Sequence, residues 1–188
     1  RLLNTGPSNV RVELLDGLRN LLPYGVDRVA QAEFSTLIDA YKQAEAVTDA
    51  CAGIYSLSSI LTDRAEPSEA LKATVVWSTG LDQARVLLSE DQVQAFCAGQ
   101  GVHSEAFGKG KRGAFFVQSA VTLSSQAEHG WYLLADVEQG PSQTADLLHA
   151  IRQGVTADAI EQDVAAGTAR LKRLAGSADG SQKSADAL

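Results

Sequence analysis

Residues 113–139 read GAFFVQSAVTLSSQAEHGWYLLADVEQ, and the rest of the chain is read outward from this stretch. Phe115, Val117, Val121 and Leu123 fall in one phase, with Gln118, Thr122 and Ser124 in the other. After a polar break, Trp131, Leu133, Ala135 and Val137 alternate with Tyr132, Leu134 and Asp136. Period-two patterning rich in aromatic and β-branched residues predicts two half-buried strands, over about 114–124 and 130–138. SSQAEHG between them has the polar residues and glycine of a hairpin loop. Val117, Val121, Leu133 and Val137 are therefore expected to be buried. Phe116 and Tyr132 fall out of phase with Phe115 and Trp131, so both faces of the hairpin look apolar. Such a hairpin needs cover on both faces, from helices, further strands or another subunit.

Nearly everything else carries helical spacing. Ser8 caps a helix over about 9–22, with Val10, Leu14, Leu18 and Leu21 as its stripe and Pro23 as its stop. From Val26 the steps of three and four run through Phe34, Ile38, Tyr41, Val47, Cys51 and Tyr55 nearly to Leu61. This predicts one long helix, with a break near Asp49 to Gly53 as the alternative. Glu66, Pro67 and Ser68 open the next segment. There TVVWS (74–78) and ARVLLS (84–89) suit either one helix or two strands, and length favours the helix. Ser89 and Gln92 pair as a capping box for a short helix carrying Val93, Phe96 and Cys97. Gly140-Pro141-Ser142 opens a helix that Gly154 ends, and Thr156 caps a last one with Ile160, Val164, Leu171 and Leu174. The expected fold is a helix-dominated α+β domain: long amphipathic helices packed on an antiparallel hairpin, with room for one or two more strands. Residues 1–175 are expected to form one compact domain and 176–188, GSADGSQKSADAL, a disordered tail.

Composition bounds the function. The chain has 188 residues, 45% of them hydrophobic and 21% charged, enough to bury a core. Sixteen basic against 23 acidic residues give a formal net charge of −7, which repels nucleic-acid phosphates and anionic lipid. No apolar run is long enough to cross a membrane. The sequence contains no methionine, which points to a processed or excised chain.

Candidate chemistry concentrates in AGQGVHSEAFGKGKRG (98–113), with five glycines beside His103, Lys109, Lys111 and Arg112. Backbone N–H groups freed by glycine, next to lysines, can cradle a phosphate or meet an acidic partner. Neither GxxxxGK[ST] nor GxGxxG is satisfied, so a solvated loop is the plainer expectation. His103, His129 and His149 stand apart from one another and from Cys51 and Cys97, so no local metal-ligand pair exists. There is no GxSxG and no CxxC, and acids such as Glu90 and Asp91 suit the first turn of a helix. No catalytic residue, cofactor site or metal site is assigned. Phe116, Trp131 and Tyr132 are candidates for a pocket or an interface. Cys51 and Cys97 are either separate core thiols or a disulfide, which would contribute about 4 kcal/mol. A bridge would place the chain in an oxidising, extracytoplasmic compartment.

The function expected from these features is a non-enzymatic interaction or assembly protein, a structural subunit or adaptor. It would contact a partner protein, or itself, through its helices and the aromatic hairpin. The alternative is a small-ligand-binding or sensor domain with its pocket between helices and hairpin. A large apolar surface covered by a neighbour would favour the first, and an enclosed pocket of several hundred Å³ with a few polar groups the second.

Overall fold

The computed structural model of the chain describes residues 1–60 and 68–179. Their contacts gather into two units that divide between Gln153 and Gly154. The first unit is built on sheets. The strand β1 (Leu2–Leu3) is followed by β2 (Val10–Leu21), then by the short helices α1 (Arg28–Glu33) and α2 (Ser35–Tyr41). Next come β3 (Lys42–Val47), β4 (Ala52–Leu57), β5 (Ala73–Thr79), β6 (Arg85–Leu87) and the helix α3 (Val93–Cys97). The unit ends with β7 (Phe107–Lys109), β8 (Gly113–Leu123), β9 (Glu128–His129), β10 (Tyr132–Gln139) and α4 (Pro141–Gln153). The second unit holds α5 (Ala157–Asp179).

The expected helix dominance is therefore wrong. The run 9–22 is not a helix but β2, paired antiparallel with β8 from Val10↔Leu123 to Leu21↔Gly113. The long helix expected over 26–61 is two short helices and then a β-hairpin. In it β3 and β4 pair from Lys42↔Leu57 to Val47↔Ala52. The chain reverses at a single 3-10 turn, Thr48–Ala50, which Cys51 closes in the left-handed region at φ 46°. Spacing in steps of three and four misled here because Ala44, Val47, Cys51 and Ile54 straddle that reversal. Over 74–89 the structure takes the two-strand reading, β5 and β6, as its Val and Trp content favours. Ser89 and Gln92 do not form a capping box: α3 has no side-chain N-cap. The Gln92 side chain instead donates to Glu105 at 2.8 Å and to the His103 carbonyl at 3.0 Å.

Both runs of 113–139 are strands, but they are not a hairpin. β8 is the middle of a three-stranded sheet ordered β2-β8-β6, whereas β10 pairs with β5 at the edge of a five-stranded sheet ordered β10-β5-β4-β3-β7. Between them β9 pairs with β1, and the chain passes from one sheet to the other. This divides the expected core. Val117 and Val121 are buried, Leu133 is half-buried, and Val137 is 65% exposed beside the register shift that ends β10.

The main core lies between the two larger sheets. Ala44, Tyr55 and Val76 come from the five-stranded sheet, and they meet Val86, Leu88, Phe115 and Val117 from β8 and the β6 segment. The Tyr55 hydroxyl donates to the Ala114 carbonyl at 2.5 Å, tying one sheet to the other. A second cluster of Leu87, Val102, Ala114 and Phe116 packs against Val93 and Phe96 of α3. A third, Val26, Ile38 and Leu57 with Leu22, Ala30 and Tyr41, seats α1 and α2.

The helices α4 and α5 lie where the sequence places them. Gly154 follows α4 at φ 91°, and Thr156 Oγ1 accepts from the Ala159 N–H at 3.2 Å to cap α5. Of the expected tail, 176–179 belong to α5 and 180–188 lie outside the described residues, as do Glu66 and Pro67. Among the described residues no helix is long and apolar enough to cross a membrane.

Candidate ligand-binding cleft

Where α1 and α2 lie over the ends of β2 and β3, they border a half-open cleft of about 450 Å³. Asn20, Leu22, Arg28, Gln31, Ala32, Ser35, Lys42 and Arg112 line it. Each wall has a local cause. Asn20 is left-handed, at φ 53°, where the β2–β8 register shifts between Arg19 and Leu21. Asn tolerates that region better than most residues, and the irregularity ends the ladder at the cleft's mouth. Asp27 caps α1 by accepting from the Ala30 N–H at 2.7 Å, which fixes the turn carrying Arg28, Gln31 and Ala32. Ile38, buried against Val26 and Leu57, anchors α2.

Lys42 opens β3, and its side chain is only 4% exposed. An ammonium group at such depth needs partners to offset lost hydration. Its Nζ donates to Asp39 Oδ1 at 2.8 Å and to Gln31 Oε1, joining α1, α2 and β3 at one point. Arg112 reaches the same place from the glycine-rich segment. The Gly110 N–H donates to the Lys42 carbonyl at 3.0 Å, docking that segment on β3. Arg112 Nε then stands 3.9 Å from Asp39 Oδ2, with its side chain 67% exposed.

A second groove of about 440 Å³ adjoins the first, sharing Asn20 and Arg112 and adding Ser89, Glu90, Asp91 and Lys111. Its charges are paired: Arg19 Nε lies 3.4 Å from Glu90 Oε2, and Lys111 bonds Asp91. The hydrogen bond that Lys111 donates to the Asp91 carboxylate holds its ammonium above the ordinary lysine range.

Of the residues that the sequence singles out, only Arg112 belongs to the main cleft, with Lys111 in the adjoining groove. Lys109 is exposed at the end of the edge strand β7. His103 is exposed on the loop after α3, its backbone held by Gln92. Phe116 is core, and Trp131 is half-buried with its indole N–H donating to Asp16 Oδ2 at 2.7 Å. Tyr132 is half-buried at the start of β10. None of these three aromatics lines either groove. Cys51 and Cys97 are free, which removes the disulfide and with it the argument for an oxidising compartment. Cys51 packs against the core between the sheets, where burial pushes its thiol up to about 11, while Cys97 is exposed at the end of α3.

Arg28, Gln31 and Lys42 escape the sequence reading because a continuous helix over 26–61 would turn them to solvent. No local spacing marks them, since their convergence depends on α1 and α2 folding back onto β3. Among the described residues no three His, Cys, Asp or Glu side chains converge as a metal site would require. Compared with known proteins, the chain matches no protein-family model and no curated protein sequence.

Proposed function

We propose that this chain is a non-enzymatic small-ligand-binding module whose site is the cleft between α1–α2 and the strands β2 and β3. One observation carries the reading: a half-open cleft of about 450 Å³, within the range of small-molecule sites, onto which polar groups from four separate segments converge. Those groups belong to β2, α1, α2–β3 and the β7–β8 loop, so a ligand there would touch much of the fold at once. Replacing Ala32, an exposed residue of α1 on the cleft wall, with tryptophan fills the space without touching the core. A panel of small polar compounds is screened by thermal shift against both proteins. The expected result is at least one compound that stabilises the wild type and leaves Ala32→Trp unmoved. Equal responses from the two proteins across the panel would overturn the reading.

A second reading, contact with a partner protein or a second copy, has its own support. Val29, Phe34 and Leu37 on α1 and α2 are each more than half exposed. Sedimentation over a range of concentrations tests it: self-association abolished by serine at all three positions favours an assembly role.

A further inference from the structure

We infer that the ligand of this cleft is a small organic dianion, met by Arg28 and Arg112 over the buried ammonium of Lys42. The inference rests on the cleft being a ligand site. Its ground is charge balance. The chain as a whole is acidic, at −7, yet the main cleft is lined by three cations and, among the described residues, by no carboxylate. Asp39 is the one acid bonded to this group, and it answers Lys42 at 2.8 Å in a setting where both side chains are largely buried. That leaves Arg28 and Arg112. Arg28 makes no ion pair or hydrogen bond among the described residues. Arg112 forms a loose ion pair with Asp39 at 3.9 Å, beyond hydrogen-bond range, so its hydrogen-bond donors remain open. Two open guanidinium groups on two separate elements match two negative charges.

The residue types refine the class. Guanidinium forks suit the planar or tetrahedral oxygens of carboxylate and phosphate, and bind them through paired hydrogen bonds. Leu22 and Ala32 supply an apolar wall, while Asn20, Gln31 and Ser35 supply neutral polar groups, a lining that fits a short carbon skeleton better than a bare ion. Glu90 and Asp91 in the adjoining groove bound the site on the other side. Both acids are already paired, with Arg19 and Lys111, so the cations with open hydrogen-bond donors are those at the α1–α2 end.

Isothermal titration of the full chain at low ionic strength tests this with succinate, inorganic phosphate, acetate and the neutral succinamide. Succinate and phosphate are expected to bind, acetate at least about tenfold more weakly, and succinamide not at all. Arg28→Ala and Arg112→Ala, both at exposed positions, are each expected to weaken succinate about tenfold, and added salt to weaken it further. The two anion types separate by pH: inorganic phosphate regains its second proton near neutral pH and its binding falls there, whereas succinate keeps both charges until its carboxylates protonate at lower pH. Succinamide binding as tightly as succinate, with both arginine variants neutral, would overturn the dianion and leave the ligand cleft standing. Succinate bound equally well by Ala32→Trp would overturn the cleft itself. Failure of both dianions to bind the wild type would overturn the inference.

Discussion

Substituting Gly17 with alanine separates the two ways of reading the N-terminal segment, because the sign of the effect differs between them. In a helix over 9–22, Gly→Ala would stabilise by about 0.8–1 kcal/mol. In β2, Gly17 lies opposite Phe116, and a Cβ built there meets the Phe115 carbonyl oxygen at 2.1 Å and Phe116 Cα at 2.7 Å. Both are backbone atoms and cannot rotate away. The third contact, Phe116 Cδ1 at 2.6 Å, belongs to a ring already buried against Leu87 and Val102. Relief requires β2 to draw away from β8, disturbing roughly two ladder hydrogen bonds at about 1 kcal/mol each. Overpacking adds about 1–3 kcal/mol, so the substitution should destabilise by about 3–5 kcal/mol in urea unfolding. For a chain of this size that lowers Tm by about 6–20 °C. A Gly17→Ala protein as stable as the wild type, or more so, would refute the pairing of β2 with β8.

Other substitutions test other joints. Tyr55→Phe removes the hydroxyl that bridges the sheets to Ala114 and should cost about 1–1.5 kcal/mol in the same assay, with the fold retained. Alkylation of the native, unreduced protein should label Cys97 rapidly and Cys51 only on unfolding, since burial suppresses the Cys51 thiolate; mass spectrometry reads both thiols. Asp49, whose carboxyl is held below its ordinary 3.8 chiefly by the hydrogen bond from Arg152, joins the β3–β4 turn to α4. Because its folded value is depressed, its contribution is complete above that ordinary value and is lost as pH falls below it. Asp49→Asn should therefore flatten the acid limb of the stability curve below about pH 4.

Local signals were legible and long-range ones were not. Gly154 and Thr156 mark the ends of α4 and α5 because capping is settled within a few residues, and the alternation in 113–123 shows β8 for a similar reason. β2 hides because Leu14, Leu15, Leu18 and Leu21 are good helix formers at helical spacing. What overrides them is a partner strand, Gly113–Leu123, far along the sequence. The pairing of 113–123 with 130–138 fails for the same physical reason: proximity in sequence suggested a hairpin, while β8 pairs with β2 and β10 with β5, both distant in sequence. At the cleft, Arg112 stands out through the glycines around it. Arg28, Gln31 and Lys42 acquire meaning only once α1 and α2 fold back onto β3 and bring Gln31 to Lys42.

The claim that most needs testing is that the cleft beneath α1 and α2 is where this protein binds, and amide chemical-shift mapping during a succinate titration addresses it directly. The account predicts saturable shifts concentrated at Asn20, Gln31, Ser35, Lys42 and Arg112, with β10 and α4 unmoved. Shifts that grow linearly without saturation, or that cluster on another surface, would contradict it.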